Sequence, residues 1–223
     1  MNPLLSRFAT RPDLFTSWSA LFENPTYPLF LDIGCAKGAL LKALAMRRSK
    51  TNFLGIEIRE EPLDYARKAG KGLGNLAYLS TNLEFSAHKW WAPSLSTLSS
   101  PMSESLIDAN EEAFRYPGEL MTVSILMPDP QFKNRHKKRR TLSPGLLQVI
   151  SDRQPVNGRL VFQTDVFDLF QDMKSVMDAS TSIYRDETDI LLSTPLCDGI
   201  ESEREAFVKK MGGKIYAKSY LRL

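Results

Sequence analysis

An α/β domain on a mostly parallel sheet is the fold this sequence predicts, and three features predict it. Short apolar runs of strand length alternate with segments whose apolar residues recur every three or four positions. The first run ends in Gly34-Cys35-Ala36-Lys37-Gly38, a glycine turn that leads into a helical stripe and so opens a βαβ unit. Two later runs end in acids, Asp129 and Asp165, as expected where the carboxyl ends of parallel strands rim a cleft. A chain of 223 residues is long enough for one such domain with a real core and short for two, so residues 1–223 are read as one domain.

The elements follow in order. Residues 13–23 space Leu14, Trp18 and Leu21 for a short amphipathic helix, so 1–27 reads as a helical extension that covers the core. Residues 28–33 form the first strand, and Leu40, Leu41, Leu44 and Ala45 mark the helix beyond the turn. Gly34 and Gly38 suit a ligand lying over that turn, because glycine removes the Cβ from its path and tolerates positive φ. The second strand, 52–58, ends with Glu57 roughly 20 residues past the turn, where an acid accepts both hydroxyls of an adenosine ribose.

A helix from about Glu60 carries Pro62 near its start, and Gly70 closes it. A third strand over 75–82 ends in Asn82, whose amide suits either an adenine edge or a turn. Residues 83–120 gather Ser, Pro and acids and read as an inserted connection. Trp90 and Trp91 within it read as packing rather than a base-stacking platform, since no cluster of basic groove residues surrounds them.

A buried strand over 121–127 is then stopped by Pro128. Asp129 sits between two prolines, and Lys133, Arg135, Lys137, Lys138, Arg139 and Arg140 follow as a cationic block. Six such charges repel one another unless phosphates or carboxylates neutralise them, and a polyanion is the natural partner for that lip of the cleft. His136 reads as a neutral contact residue, because the neighbouring cations disfavour its charged form.

Ser143-Pro144 caps and begins a helix running to about Arg153. The strand 159–164 ends at Asp165, which either faces the cleft or caps the following helix. Phe167, Phe170, Met173 and Met177 mark that helix's apolar face. Residues 183–185 and 215–220 suit a terminal antiparallel pair, and Glu201 to Glu205 opens a helix between them.

The totals exclude several classes. Lys and Arg number 29 against 26 Asp and Glu, a net charge of +3, so positive charge is local rather than global. Cys35 and Cys197 lack any CxxC or Cys/His spacing, which argues against a disulfide framework and a metal site and favours a reducing, intracellular setting. No run reaches the length of a membrane span and the N-terminus lacks a secretory core, so a cytoplasmic protein is expected. Arg7 and Arg11 without an early acid leave a plastid or other organelle open, and monomer and homodimer both stay open. The turn also lacks the Gly-x-Gly-x-x-Gly of a dinucleotide-dependent dehydrogenase.

Together, Asp32-Ile33-Gly34-Cys35-Ala36-Lys37-Gly38, Gly55-Ile56-Glu57-Ile58-Arg59 and the Pro-Asp-Pro-led block at 128–140 resemble one family, the bacterial-type tRNA (guanine-N7-)-methyltransferases. The resemblance covers nearly all of 28–220. It implies a Rossmann-like, seven-stranded class I methyltransferase sheet with helices on both faces and an antiparallel terminal strand. It also implies S-adenosylmethionine as cofactor and the variable loop of tRNA as target. By position it implies Asp32, Gly34, Gly38, Glu57, Asn82 and Asp129 as cofactor contacts, with Asp129 also the catalytic residue. Lys133, Asp165, Ser202 and Glu205 would bind the substrate, with Arg135, Lys137, Lys138, Arg139 and Arg140 on phosphates. Ala36 stands where the family usually has glycine, Gln131 where it has an aromatic, and Asn82 where it has aspartate.

Overall fold

The structure, a computed structural model, describes residues 18–80, 116–131, 141–187 and 197–223. After a short α1 (Trp18–Leu21), the chain alternates β1 (Leu29–Ile33), α2 (Ala39–Arg47), β2 (Asn52–Glu57), α3 (Glu60–Ala69) and β3 (Leu76–Ser80). It continues with β4 (Leu120–Leu126), α4 (Pro144–Ser151), β5 (Arg159–Thr164), α5 (Phe167–Asp178), β6 (Tyr184–Asp186), α6 (Glu203–Lys210) and β7 (Tyr216–Arg222).

The seven strands form one sheet in the order β3-β2-β1-β4-β5-β7-β6. β3, β2, β1, β4 and β5 run parallel, and β7 is antiparallel to both β5 and β6. Successive strands progress one way from β1 to β3 and the other way from β4 to β5. The carboxyl edge at β1 and β4 is therefore the switch point at which such sheets open a crevice.

Both faces are covered, which is why β1 and β2 are apolar along nearly their whole length and buried at every position. Leu29, Leu31 and Ile33 point to one face with Val123, Ile125 and Phe162, where α4 and α5 supply Leu146, Ile150, Leu169 and Met173. Phe30 points to the other with Phe53, under Leu41 and Leu44 of α2 and Leu63 and Ala66 of α3. Local signals fix the helix starts. Ser143 Oγ accepts from Leu146 N at 3.1 Å with Pro144 in the first turn. Glu60 and Glu61 begin α3, and Arg67 and Lys68 end it, as the helix dipole favours.

Two expectations change. The β4 strand starts and stops one residue early, since Met127 adopts φ 51° while its N–H still donates to Gln163 O at 2.7 Å. The inward face of α5 is Leu169, Met173 and Met177, whereas Phe167 is half exposed. A helical period identifies a stripe; in the first turn, the end of the neighbouring strand decides what is covered. Asn82, the 83–115 part of the insertion and residues 132–140 lie outside the described residues.

Candidate active site

The β1 to α2 turn is pinned to the next strand. Gly34 N and Cys35 N both donate to Ile56 O, at 2.7 and 3.0 Å. The two glycines expected at a ligand serve different ends. Gly34 has φ +85°, and a Cβ there would point into open space. Gly38 has φ +68°, and its Cβ would lie 2.4 Å from the Tyr78 ring, whose hydroxyl donates to Gly38 O at 2.9 Å. Gly38 is therefore fixed by packing, and Gly34 faces the crevice. Gly55 completes the same nest, since a Cβ would sit 2.6 Å from both Cys35 Sγ and Tyr78. Ala36, between the two turn glycines, carries a left-handed φ of 47°.

Asp32, at the end of β1, is only 5 % exposed and accepts from Ser124 Oγ of β4 at 2.7 Å. Burial pushes its carboxyl up to about 6; the Ser124 bond opposes this and the charge of Glu57 adds to it. Glu57, at the end of β2, is 6 % exposed. Its Oε1 accepts from Ile58 N at 3.0 Å, Arg59 N at 3.1 Å and Arg59 Nε at 3.1 Å. Burial raises Glu57, but the bonds and charge of Arg59 outweigh it and leave the carboxyl below its usual range. Arg59 is held high in turn, first by its bond to Glu57 and further along by the charge of Asp129. Ser124, Tyr78 and Arg59 had no place in the sequence argument as site residues. The one available signal was a serine inside the buried run of β4.

Past β4, Asp129 is exposed and accepts from Gln131 N at 3.3 Å and Gln131 Nε2 at 3.1 Å. Past β5, Asp165 is paired by Arg204 Nη2 at 2.5 Å. Asp165 does not cap α5: the cap residue is Val166, whose N–H donates to Thr164 Oγ1 at 3.1 Å. In the strand order β2-β1-β4-β5, the acids Glu57, Asp32, Asp129 and Asp165 thus stand in a row at adjacent carboxyl ends, a span of about 15 Å.

The segment leading into α6 lies along this edge. Cys197 packs on the cluster that holds Cys35. Burial and then the charges of Asp32 and Glu205 push its thiol up to about 12. Asp198 is clamped to the end of α2 by Arg48, whose Nε donates to Oδ2 at 2.8 Å, and by Arg47 Nη1, which donates to its carbonyl at 3.0 Å. Ser202 caps α6, its Oγ accepting from Glu205 N at 3.2 Å, and Glu205 pairs with Lys209 at 2.7 Å. Glu203 lines a groove of about 250 Å³ with Lys37, Lys42 and Tyr65 between α2 and α3. The α6 entrance therefore reaches from the α2 side to Asp165.

The expected sites Lys133, Arg135, Lys137, Lys138, Arg139 and Arg140 lie outside the described residues, as do His136, Trp90 and Trp91. Among the described residues no group of three or more His, Cys, Asp or Glu is arranged to hold a metal ion, and no helix is long and apolar enough to cross a membrane. An adenosyl cofactor fits what is present. Gly34 leaves the approach open, and Glu57 and Asp32 supply fixed acids at the ends of β2 and β1.

Comparison with known proteins agrees with this geometry. The family described as "Putative methyltransferase" matches residues 26–98 and 107–218. A tRNA (guanine-N(7)-)-methyltransferase of Thermosynechococcus vestitus is 34 % identical over 97 % of this chain and 90 % of its own. Its namesake from Prochlorococcus marinus (strain NATL2A) is 34 % identical over 100 % of this chain and 95 % of its own. Among solved structures, the 16S rRNA methyltransferase KamB aligns at TM-score 0.53 with 14 % identity, over 92 % of this chain and 93 % of its own. The 16S rRNA (adenine(1408)-N(1))-methyltransferase of Catenulisporales acidiphilia, solved with its cosubstrate SAM, aligns at 0.51 with 11 % identity, over 92 % and 90 %. These two are alike in fold alone. With its strand order, its glycine turn and relatives of this similarity over almost its full length, the chain belongs to the tRNA (guanine-N7-)-methyltransferase family, enzymes of the class I S-adenosylmethionine-dependent fold.

Proposed function

We propose that this chain methylates N7 of a guanine in tRNA, in the variable loop, using S-adenosylmethionine. The observation that carries the reading is the row of four acids across β2, β1, β4 and β5, buried at Glu57 and Asp32, exposed at Asp129 and partly buried at Asp165. The buried end suits a cofactor and the exposed end suits a base.

When bound, S-adenosylmethionine supplies a methyl group on a positively charged sulfur. Glu57 would hold the ribose hydroxyls, exchanging part of its present bonding to Arg59 for them. Asp32, two residues before Gly34, would supply negative charge at the cofactor's side of the turn. Guanine N7 carries a lone pair and no proton, so alignment and exclusion of water supply the acceleration and no base is required. Asp129 and Asp165 then serve to accept from the N1 and N2 hydrogens, fixing the ring and stabilising the positive charge that appears on it. Asp165 must share or release Arg204 to do so.

N7 lies in the deep major groove of A-form RNA, which favours a guanine in an irregular region. Lys133 and the 135–140 cations would hold the backbone around it, and Asn82 the adenine edge. Incubation with bulk tRNA and methyl-labelled S-adenosylmethionine, followed by mapping of the label, tests the reading. Label on guanine N7 of tRNA is expected. Label confined to another atom or another RNA, or none on any RNA, would overturn it.

A further inference from the structure

An aromatic series runs from the core to the surface beside Asp165. Buried Tyr220 stacks on buried Phe162 at 5.9 Å, Phe162 meets Phe170 at 5.9 Å, and Phe170 meets Tyr216 at 5.4 Å. Phe167 ends the series, 5.1 Å from Tyr216 and 6.4 Å from Phe170, and is 50 % exposed. Tyr216 is the register partner of Thr164, so the outer rings lie at the carboxyl end of β5, on the same edge as the acids. Cations border them. Lys214 Nζ lies 4.9 Å over the Tyr216 ring. The Arg204 guanidinium that pairs Asp165 lies 5.5 Å over Phe207, itself 53 % exposed.

The core contacts of α5 are already made by Leu169, Met173 and Met177, so packing does not require an aromatic at Phe167. A half-exposed ring backed by a partly buried tyrosine and a core stack, with an ammonium over that tyrosine and a guanidinium on Asp165 two residues away, matches how proteins hold unpaired nucleotides. Any base has a π-face to stack, and the cations meet the phosphates.

We propose that Phe167 and Tyr216, with Lys214 and Arg204, form a stacking platform for an unpaired base next to the methylated guanine, which rests on the RNA reading above. Equilibrium tRNA binding and methylation are measured for the wild type, Phe167→Leu and Phe167→Trp. The leucine variant keeps apolar bulk but has no ring, and it is expected to bind tRNA about tenfold more weakly. The tryptophan variant keeps wild-type affinity, and cofactor affinity and melting temperature stay constant in both. The salt dependence of tRNA binding also stays constant, because no phosphate contact is removed.

Leucine binding as tightly as phenylalanine, with the wild type methylating tRNA, would overturn the platform alone. A wild type that leaves tRNA unmethylated would overturn the functional reading and the platform with it. Sedimentation of the same proteins covers the remaining use of such a face. A wild-type dimer that Phe167→Leu converts to monomer at unchanged tRNA affinity would make it a self-association surface and overturn the proposal.

Discussion

The two ends of the acid row are built on opposite principles. Asp32 and Glu57 are almost fully buried, and their bonds come from neighbouring strands or the adjacent backbone: Ser124, Ile58 and Arg59. Asp129 is exposed and Asp165 partly buried, and they are held by a glutamine two residues on and by an arginine of α6. Charges of the first kind are held by buried partners and hard to move, whereas those of the second exchange partners at little cost. One end is set before any ligand arrives, and the other is left free to adapt to a large, irregular one.

The largest expected effect comes from the exposed end. Asp129→Ala should lower methyl transfer by about 100-fold or more while RNA retention measured without cofactor stays near the wild type, because a misplaced acceptor mainly spoils alignment. Single-turnover rates beside filter binding distinguish the two; a loss under tenfold would remove Asp129 from the chemistry.

The buried end is sharpened by Asp32→Asn. The unfolded chain ionises this acid near 3.8 and the folded chain only near 6, so between those values the native state holds the extra proton. Stability therefore falls as pH rises through that window, and above it the full cost of about 2–3 kcal/mol is carried. Asparagine still accepts from Ser124 and carries no such cost. Denaturant melts should find the variant more stable than the wild type at pH 7.5 and equal to it near pH 3. Its cofactor affinity should be lower at the higher pH. Equal stabilities at pH 7.5 would contradict a buried, ionised Asp32.

A smaller effect is expected inside the turn. Ala36 holds φ 47°, a conformation that glycine adopts without strain. Ala36→Gly should stabilise the fold by about 0.5–1 kcal/mol, less than the strain removed, because glycine also gains freedom in the unfolded chain. Thermal melts read this directly. The smallest effect belongs to the exposed pair: Arg204→Ala should change stability by less than about 1 kcal/mol. Its loss should be felt in the Michaelis constant for tRNA instead, and a stability loss of several kcal/mol would show that this end is rigid after all.

The sheet was largely readable because its strands are short apolar runs closed by an acid, a glycine or a proline, as at Asp32, Gly34 and Pro128. Ser143-Pro144 likewise fixes the start of α4 from local chemistry alone. What stayed hidden depends on residues far apart in the chain. The reason for Gly38 is a tyrosine ring forty residues on, and the bond between Ser124 and Asp32 exists only because β4 lies beside β1. The partner of Asp165 comes from α6, and the cap position of α5 falls to Val166 rather than to Asp165. Phe167 was misread because periodicity counts residues along a helix and takes no account of where the adjoining strand stops.

The position of β7 between β5 and β6 bears on biosynthesis. Among the described residues β6 pairs with β7 alone, so it cannot join the sheet until residues 216–222 have left the ribosome, whereas β1 to β5 can assemble earlier. A nascent or prematurely released chain would hold the parallel part of the sheet intact with β5 as an open, apolar border. Such a border is a template for pairing with other chains. Ribosomal pausing late in translation should therefore favour aggregation more than pausing near β3.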